Sequence, residues 1–188
     1  MKTLKTLSYV FFIFLFAVSV NNISAQKKAH KYIGVKKCSM CHKSKKIGDQ
    51  YKIWKKTKHA QAYKTLQTKE ADKIAADKGF KTKAVDTPEC LECHAPTHSV
   101  KASLIGKKFK IEDGVQCETC HGPGSDYKSN KIMKDRDKAI ANGLHVYKTE
   151  DDKEKLCGTC HNKKSPTFKE FKFEERWEKI KHTVPTKG

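Results

Sequence analysis

The chain has 188 residues, with 40 Lys and Arg against 21 Asp and Glu and a formal charge of +19. Apolar residues make up only 37% of it, which is thin for an ordinary side-chain core, so something besides side chains has to fill the interior. So basic a composition first suggests nucleic acid or an anionic membrane as partner, but eight cysteines have to be accounted for before either.

Lys2 and Lys5 precede an apolar run from Leu7 to Val20, and Ile23-Ser24-Ala25 ends in a small residue. That is the pattern of a cleaved signal peptide over residues 1–25, leaving a mature domain over 26–188. The apolar run is short against the ~20 residues that span a bilayer. The address expected is the periplasm, which argues against nucleic acid. Next comes Cys38-Ser39-Met40-Cys41-His42. From about Asp49 to Asp77 the residues Tyr51, Trp54, His59, Ala62, Tyr63 and Leu66 recur at helical steps and predict one helix, stopped by Gly79. Thr82 to Gly114 has little periodicity and reads as irregular chain around Cys90-Leu91-Glu92-Cys93-His94. Gly122-Pro123-Gly124-Ser125 is a turn after Cys117-Glu118-Thr119-Cys120-His121. Ile132 to Asn142 predicts a short helix closed by Gly143, and Thr167 to His182 a last helix ended by Pro185, after Cys157-Gly158-Thr159-Cys160-His161. The four Cys boxes are unevenly spaced, so the chain is one compact domain rather than an array.

The boxes carry the chemistry. Cys-x-x-Cys-His is the attachment signal of c-type haem: two thiols bond one porphyrin and the next His lies under the ring as proximal iron ligand. Four boxes use all eight cysteines and predict four covalent haems c. The attachment residues are Cys38, Cys41, Cys90, Cys93, Cys117, Cys120, Cys157 and Cys160, and the proximal ligands are His42, His94, His121 and His161. Zinc is the competing reading of paired Cys-x-x-Cys, but zinc does not require His directly after each second cysteine. A disulfide within one box bridges poorly. The eight propionates of four haems offset part of the positive charge, and the remaining field suits an acidic redox partner or a membrane surface. With haem forming much of the core, the haem-free chain is expected to be largely unfolded.

Five histidines remain: His30, His59, His98, His145 and His182. Only Met133 lies outside the boxes and the amino terminus, so Met ligation cannot be general and low potentials are expected. His59 on the aromatic face of the first helix and His182 after the last one are the leading distal ligands. His30, eight residues before Cys38, can fold back onto a haem; His98 and His145 are left open.

Several stretches resemble the tetrahaem cytochrome c-554 family. They are Tyr32-Ile33-Gly34 with Lys36-Lys37-Cys38, Trp54 followed by His59-Ala60, and Pro88-Glu89-Cys90. The most specific runs from Gly114-Val115-Gln116-Cys117-Glu118 to His121-Gly122-Pro123-Gly124, and Phe171-Lys172-Phe173-Glu174 leads on to His182. The resemblance implies a mostly α fold with long irregular loops, a single multihaem domain with stacked haem pairs, and electron transfer between redox proteins. It also implies that His59 is the distal ligand of the fourth haem and His182 of the third. The family's ligand to the first haem falls on Lys131 here, so that role does not carry over. In the family the second haem has an open coordination site, and the alternative function is reduction of a nitrogen oxide there.

Overall fold

The computed structural model describes residues 29–182; the expected signal peptide, residues 1–25, lies outside them. The architecture is mostly helical, in short pieces: α1 (Val35–His42), α2 (Gln50–Lys55), α3 (Ala62–Thr65), α4 (Lys69–Asp77), α5 (Pro88–His94), α6 (Cys117–His121), α7 (Asn130–Met133), α8 (Arg136–Ala141), α9 (Glu150–Gly158) and α10 (Phe173–Trp177). Among the described residues the extended pairing is an isolated parallel bridge between Tyr32 and Ile105.

The helix expected over Asp49–Asp77 is broken into α2, a 3-10 turn at His59–Gln61, α3 and α4. Local hydroxyls and distant segments take the hydrogen bonds that would have continued it. Thr57 Oγ1 donates to Trp54 O at 2.7 Å, and Thr68 Oγ1 accepts from Ala71 N at 3.2 Å, which starts α4 afresh. Val115 N donates to His59 O at 3.1 Å. Gly79, with φ 86°, ends the stretch where expected. The segment expected to be irregular holds α5, which starts on Pro88 at its first turn. The expected helix at 132–142 is two, α7 and α8, because Asp135 caps the second through Lys138 N. Of the helix expected over Thr167–His182, Phe173–Trp177 is α-helical.

The apolar interior is small. One cluster joins Leu66, Ala75 and Ala84 with Phe80, Leu91 and Cys90 packed against it, uniting α4 with α5. Four of the buried apolar residues are alanine (Ala75, Ala84, Ala95, Ala139), so little area is removed from water.

Hydrogen bonds do much of the remaining work. Glu118, 2% exposed, accepts from Ile33 N at 2.9 and 3.0 Å, from Gly34 N at 2.7 Å and from Gly124 N at 2.7 Å. Burial pushes its carboxyl up from the usual value, and the bonds from Gly124, Ile33 and Gly34 pull it back. Each of those partners is an N–H donor, so the ionised form is the one that fits. Gln116 works beside it: Oε1 accepts from Val35 N at 3.1 Å and Nε2 donates to Lys110 O at 2.7 Å. Gly34 has φ 84° and a Cβ there would lie 2.8 Å from Phe109 Cα, so α1 can begin at this point only on glycine. These contacts tie the start of α1 to both sides of α6. Glu118→Ala leaves three buried N–H groups without their acceptor, a loss of about 3 kcal/mol at roughly 1 kcal/mol per donor. Denaturant unfolding of the haem-loaded protein should show a lower midpoint with covalent haem content retained.

Candidate functional site

Three boxes sit wholly on helices: Cys38, Cys41 and His42 on α1, Cys90, Cys93 and His94 on α5, and Cys117, Cys120 and His121 on α6. Cys157 lies on α9, with Cys160 and His161 in the turn that follows. On a helix, positions i, i+3 and i+4 share one face, so each of the first three boxes places two cysteines and a histidine on one face. That donor set fits a porphyrin with its iron.

The boxes converge. Cys38 and Cys117 share a hydrogen bond, which with burial pushes the Cys38 thiol far above its usual value and holds Cys117 below it. Cys93 Sγ lies 4.0 Å from Cys160 O, and burial first, then Cys160, pushes its thiol up to about 11. Cys120 is also pushed up to about 11, by burial and then by Cys157, Cys117 and Cys160. First box touches third, third neighbours fourth, and fourth touches second. Beside the fourth box, Val146, Tyr147, Asp152, Lys155, Leu156 and Thr159 line an open hollow of about 460 Å³.

Two histidine pairs face each other. The rings of His59 and His161 have centroids 6.0 Å apart, and those of His121 and His182 are 5.8 Å apart. Two metal–imidazole bonds of about 2.0–2.1 Å, with the half-widths of the rings, span about 6 Å, so each pair leaves room for one iron. Burial lowers all four. His121 is pushed down to about 4 by burial, then by His182 and His42. His59 is lowered by burial and His161, His182 by burial and His42, and His161 by burial and Arg176. At neutral pH they are uncharged, the form that binds metal without first losing a proton.

The other two boxes are oriented differently. His94 Nδ1 donates to Ala62 O at 2.8 Å, and His42 Nδ1 lies 3.2 Å from Gln50 Oε1. Each bond fixes the tautomer and leaves Nε2 for iron. Among the described residues neither ring stacks against a second imidazole. His30 Nδ1 meets Asp126 Oδ2 at 2.7 Å. His145 N donates to His121 O at 3.0 Å and its ring lies against Gly122. Among the described residues His98 Nδ1 is buried without a hydrogen-bond partner. Lys131 is exposed.

Four features were not assigned from sequence. Glu118 and Gln116 stood in the most specific motif without a role. The Ala62 carbonyl has no sequence signature, because any residue there supplies it. Asp126 as partner of His30 spans 96 positions. Phe171, stacked on His161 at 4.6 Å between centroids, was read as one apolar position of a helix.

The family described as cytochrome c554 and c-prime matches residues 37–122, a stretch that holds the first three boxes and His59 and stops before the fourth box and His182. No curated protein and no solved structure matches the chain.

His59→Ala and His182→Ala should each turn one iron from low to high spin while covalent haem content is unchanged, since neither residue takes part in attachment. Electron paramagnetic resonance together with the mass of the loaded chain checks both.

Proposed function

We propose that this chain is an exported tetrahaem c-type cytochrome that carries electrons on covalently bound haem c, a reading supported by the match of residues 37–122 to the cytochrome c554 and c-prime family. The observation that carries the reading is the unbroken adjacency of its four boxes in the order first, third, fourth, second. A carrier that stores and passes several electrons needs its redox centres close together and held still through the redox change.

Each haem c supplies a reversible one-electron couple at its iron. The residues of the chain do the rest. Cys38 with Cys41, Cys90 with Cys93, Cys117 with Cys120 and Cys157 with Cys160 fix the four haems by thioether bonds. His42, His94, His121 and His161 bind from one side; His161 is paired with His59 and His121 with His182. His30 is a further axial candidate: Asp126 holds its Nδ1, which leaves Nε2 as the nitrogen that would bind, and its ring packs against Gly143. Where two imidazoles flank one iron, as His161 with His59 and His121 with His182 would, that iron would stay low-spin in both oxidation states and little would rearrange on electron transfer. The lysine-rich surface favours a redox partner with an acidic docking face, and the expected site of action is the periplasm.

A second reading has its own support. Among the described residues no imidazole makes a ring contact with His42 or His94, although His42 lies near His121 and His182, and exposed Lys131 stands where the resemblance puts a ligand. An iron with an open far side binds small molecules, and reduction of a nitrogen oxide there would make the protein an enzyme.

Mass spectrometry of the exported protein should show a mature start near Gln26 and four added haems; an unmodified chain, or one carrying zinc, contradicts the reading. Reduced protein should bind carbon monoxide at about one site per four haems. No binding at all would mean that every iron is closed by two protein ligands and would rule out the enzyme. Turnover of nitric oxide that keeps pace with electron supply would favour it.

A further inference from the structure

The order first, third, fourth, second has two ends, and they differ. At the first box, Cys41 is exposed, whereas the other seven cysteines are each partly covered. Met40, in the same turn of α1, is 68% exposed and Ile47, just beyond it, is 39% exposed. In a box the two residues between the cysteines lie off the face that carries the sulfurs and the His, so Met40 stays outward when haem is bound. Lys36, Lys43, Lys45 and Lys46 are exposed around these two apolar side chains.

The charge of this patch is uncompensated. Residues 31 to 48 contain no acidic side chain. The carboxylates brought near by neighbouring elements are engaged: Asp49 pairs with Lys52 at 3.2 Å, and Glu118 is buried under three N–H donors. Among the described residues none of the four lysines forms an ion pair, unlike Lys73, Lys138 and Lys155. At the second box the surroundings are those of a packed core, with Cys90 and Leu91 covered by Phe80 and Leu66.

We propose that the surface of α1 around Met40, Cys41 and Ile47 is where a one-electron carrier protein docks, and that the partner's docking face is a ring of carboxylates around an apolar centre. The proposal rests on the tetrahaem reading and adds to it the place of exchange and the complementary chemistry. One electron crosses the interface, the partner being oxidised by one unit as the first iron goes from ferric to ferrous, with no bond made or broken. Lysines steer and orient, whereas the small apolar centre excludes water once the two surfaces meet.

The test uses the matured full chain and an acidic flavodoxin in its hydroquinone form as reductant, with stopped-flow rates measured from low to physiological salt. Haem content is measured first: a wild-type chain with fewer than four haems fails the tetrahaem reading, whatever the rates. With four haems, the triple variant Lys43→Glu, Lys45→Glu, Lys46→Glu should lower the second-order rate at low salt by about tenfold or more. The same charge change at the other end (Lys78→Glu, Lys81→Glu, Lys83→Glu) should leave it within about twofold. A larger fall for the second set, an equal fall for both, or none for the first, overturns the proposal. Carbodiimide coupling of wild-type protein to the flavodoxin gives a readout independent of electron transfer and of variant folding. The zero-length bonds should map to Lys36, Lys43, Lys45 or Lys46, and bonds confined to other lysines contradict the assignment.

Discussion

On the proposed reading, each Cys-x-x-Cys-His box has to present two sulfurs and one imidazole nitrogen to a single flat ring, and that demand would shape the chain around it. A helical turn satisfies it, because positions i, i+3 and i+4 share a face. Hence α1, α5 and α6 are scarcely longer than the boxes they carry. Four such turns then have to meet around a common interior. Sulfur-to-sulfur neighbours such as Cys38 and Cys117 lie 79 positions apart in sequence, so the connecting segments are bent to the needs of the boxes rather than to their own periodicity. The side-chain core is correspondingly slight, with alanine at many of its buried positions.

What replaces a large apolar core between the boxes is a set of long-range polar contacts. Glu118 and Gln116 hold the start of α1. Trp54 Nε1 donates to Val115 O at 2.8 Å, which brings the aromatic face of α2 against the approach to α6. Val115 N in turn binds His59 O, and Ala62 O, three residues on, receives His94 Nδ1. One short stretch, 54 to 62, thereby positions a candidate distal ligand, orients a candidate proximal ligand and supports a third box. Its backbone is bonded across the molecule because it is not bonded along a helix.

That explains which features were legible in the sequence. The boxes could be read at sight, since Cys-x-x-Cys-His is a short local pattern, the one expected of haem attachment. The aromatic face of residues 51–66 could be read too, since periodicity reports which side of a segment is buried. It does not report continuity: Thr57 and Thr68 divert the backbone, and the expected long helix becomes four short elements. Phe171 shows the same limit, being apolar at a helical step but used to stack on His161. Glu118 was hidden because a glutamate between two cysteines looks solvated until Ile33, Gly34 and Gly124 are seen around it. His59 and His182 were picked out by position and resemblance, and they lie opposite His161 and His121.

The account stands on four irons arranged in one connected series. Anomalous diffraction at the iron absorption edge, from crystals of the matured protein, tests this directly. The account predicts four iron peaks in the order first, third, fourth, second, each within one porphyrin stack or edge contact of the next, with His59 and His161 flanking one and His121 and His182 flanking another. Fewer than four peaks, an iron isolated from the rest, or a signal at the zinc edge instead, would contradict it.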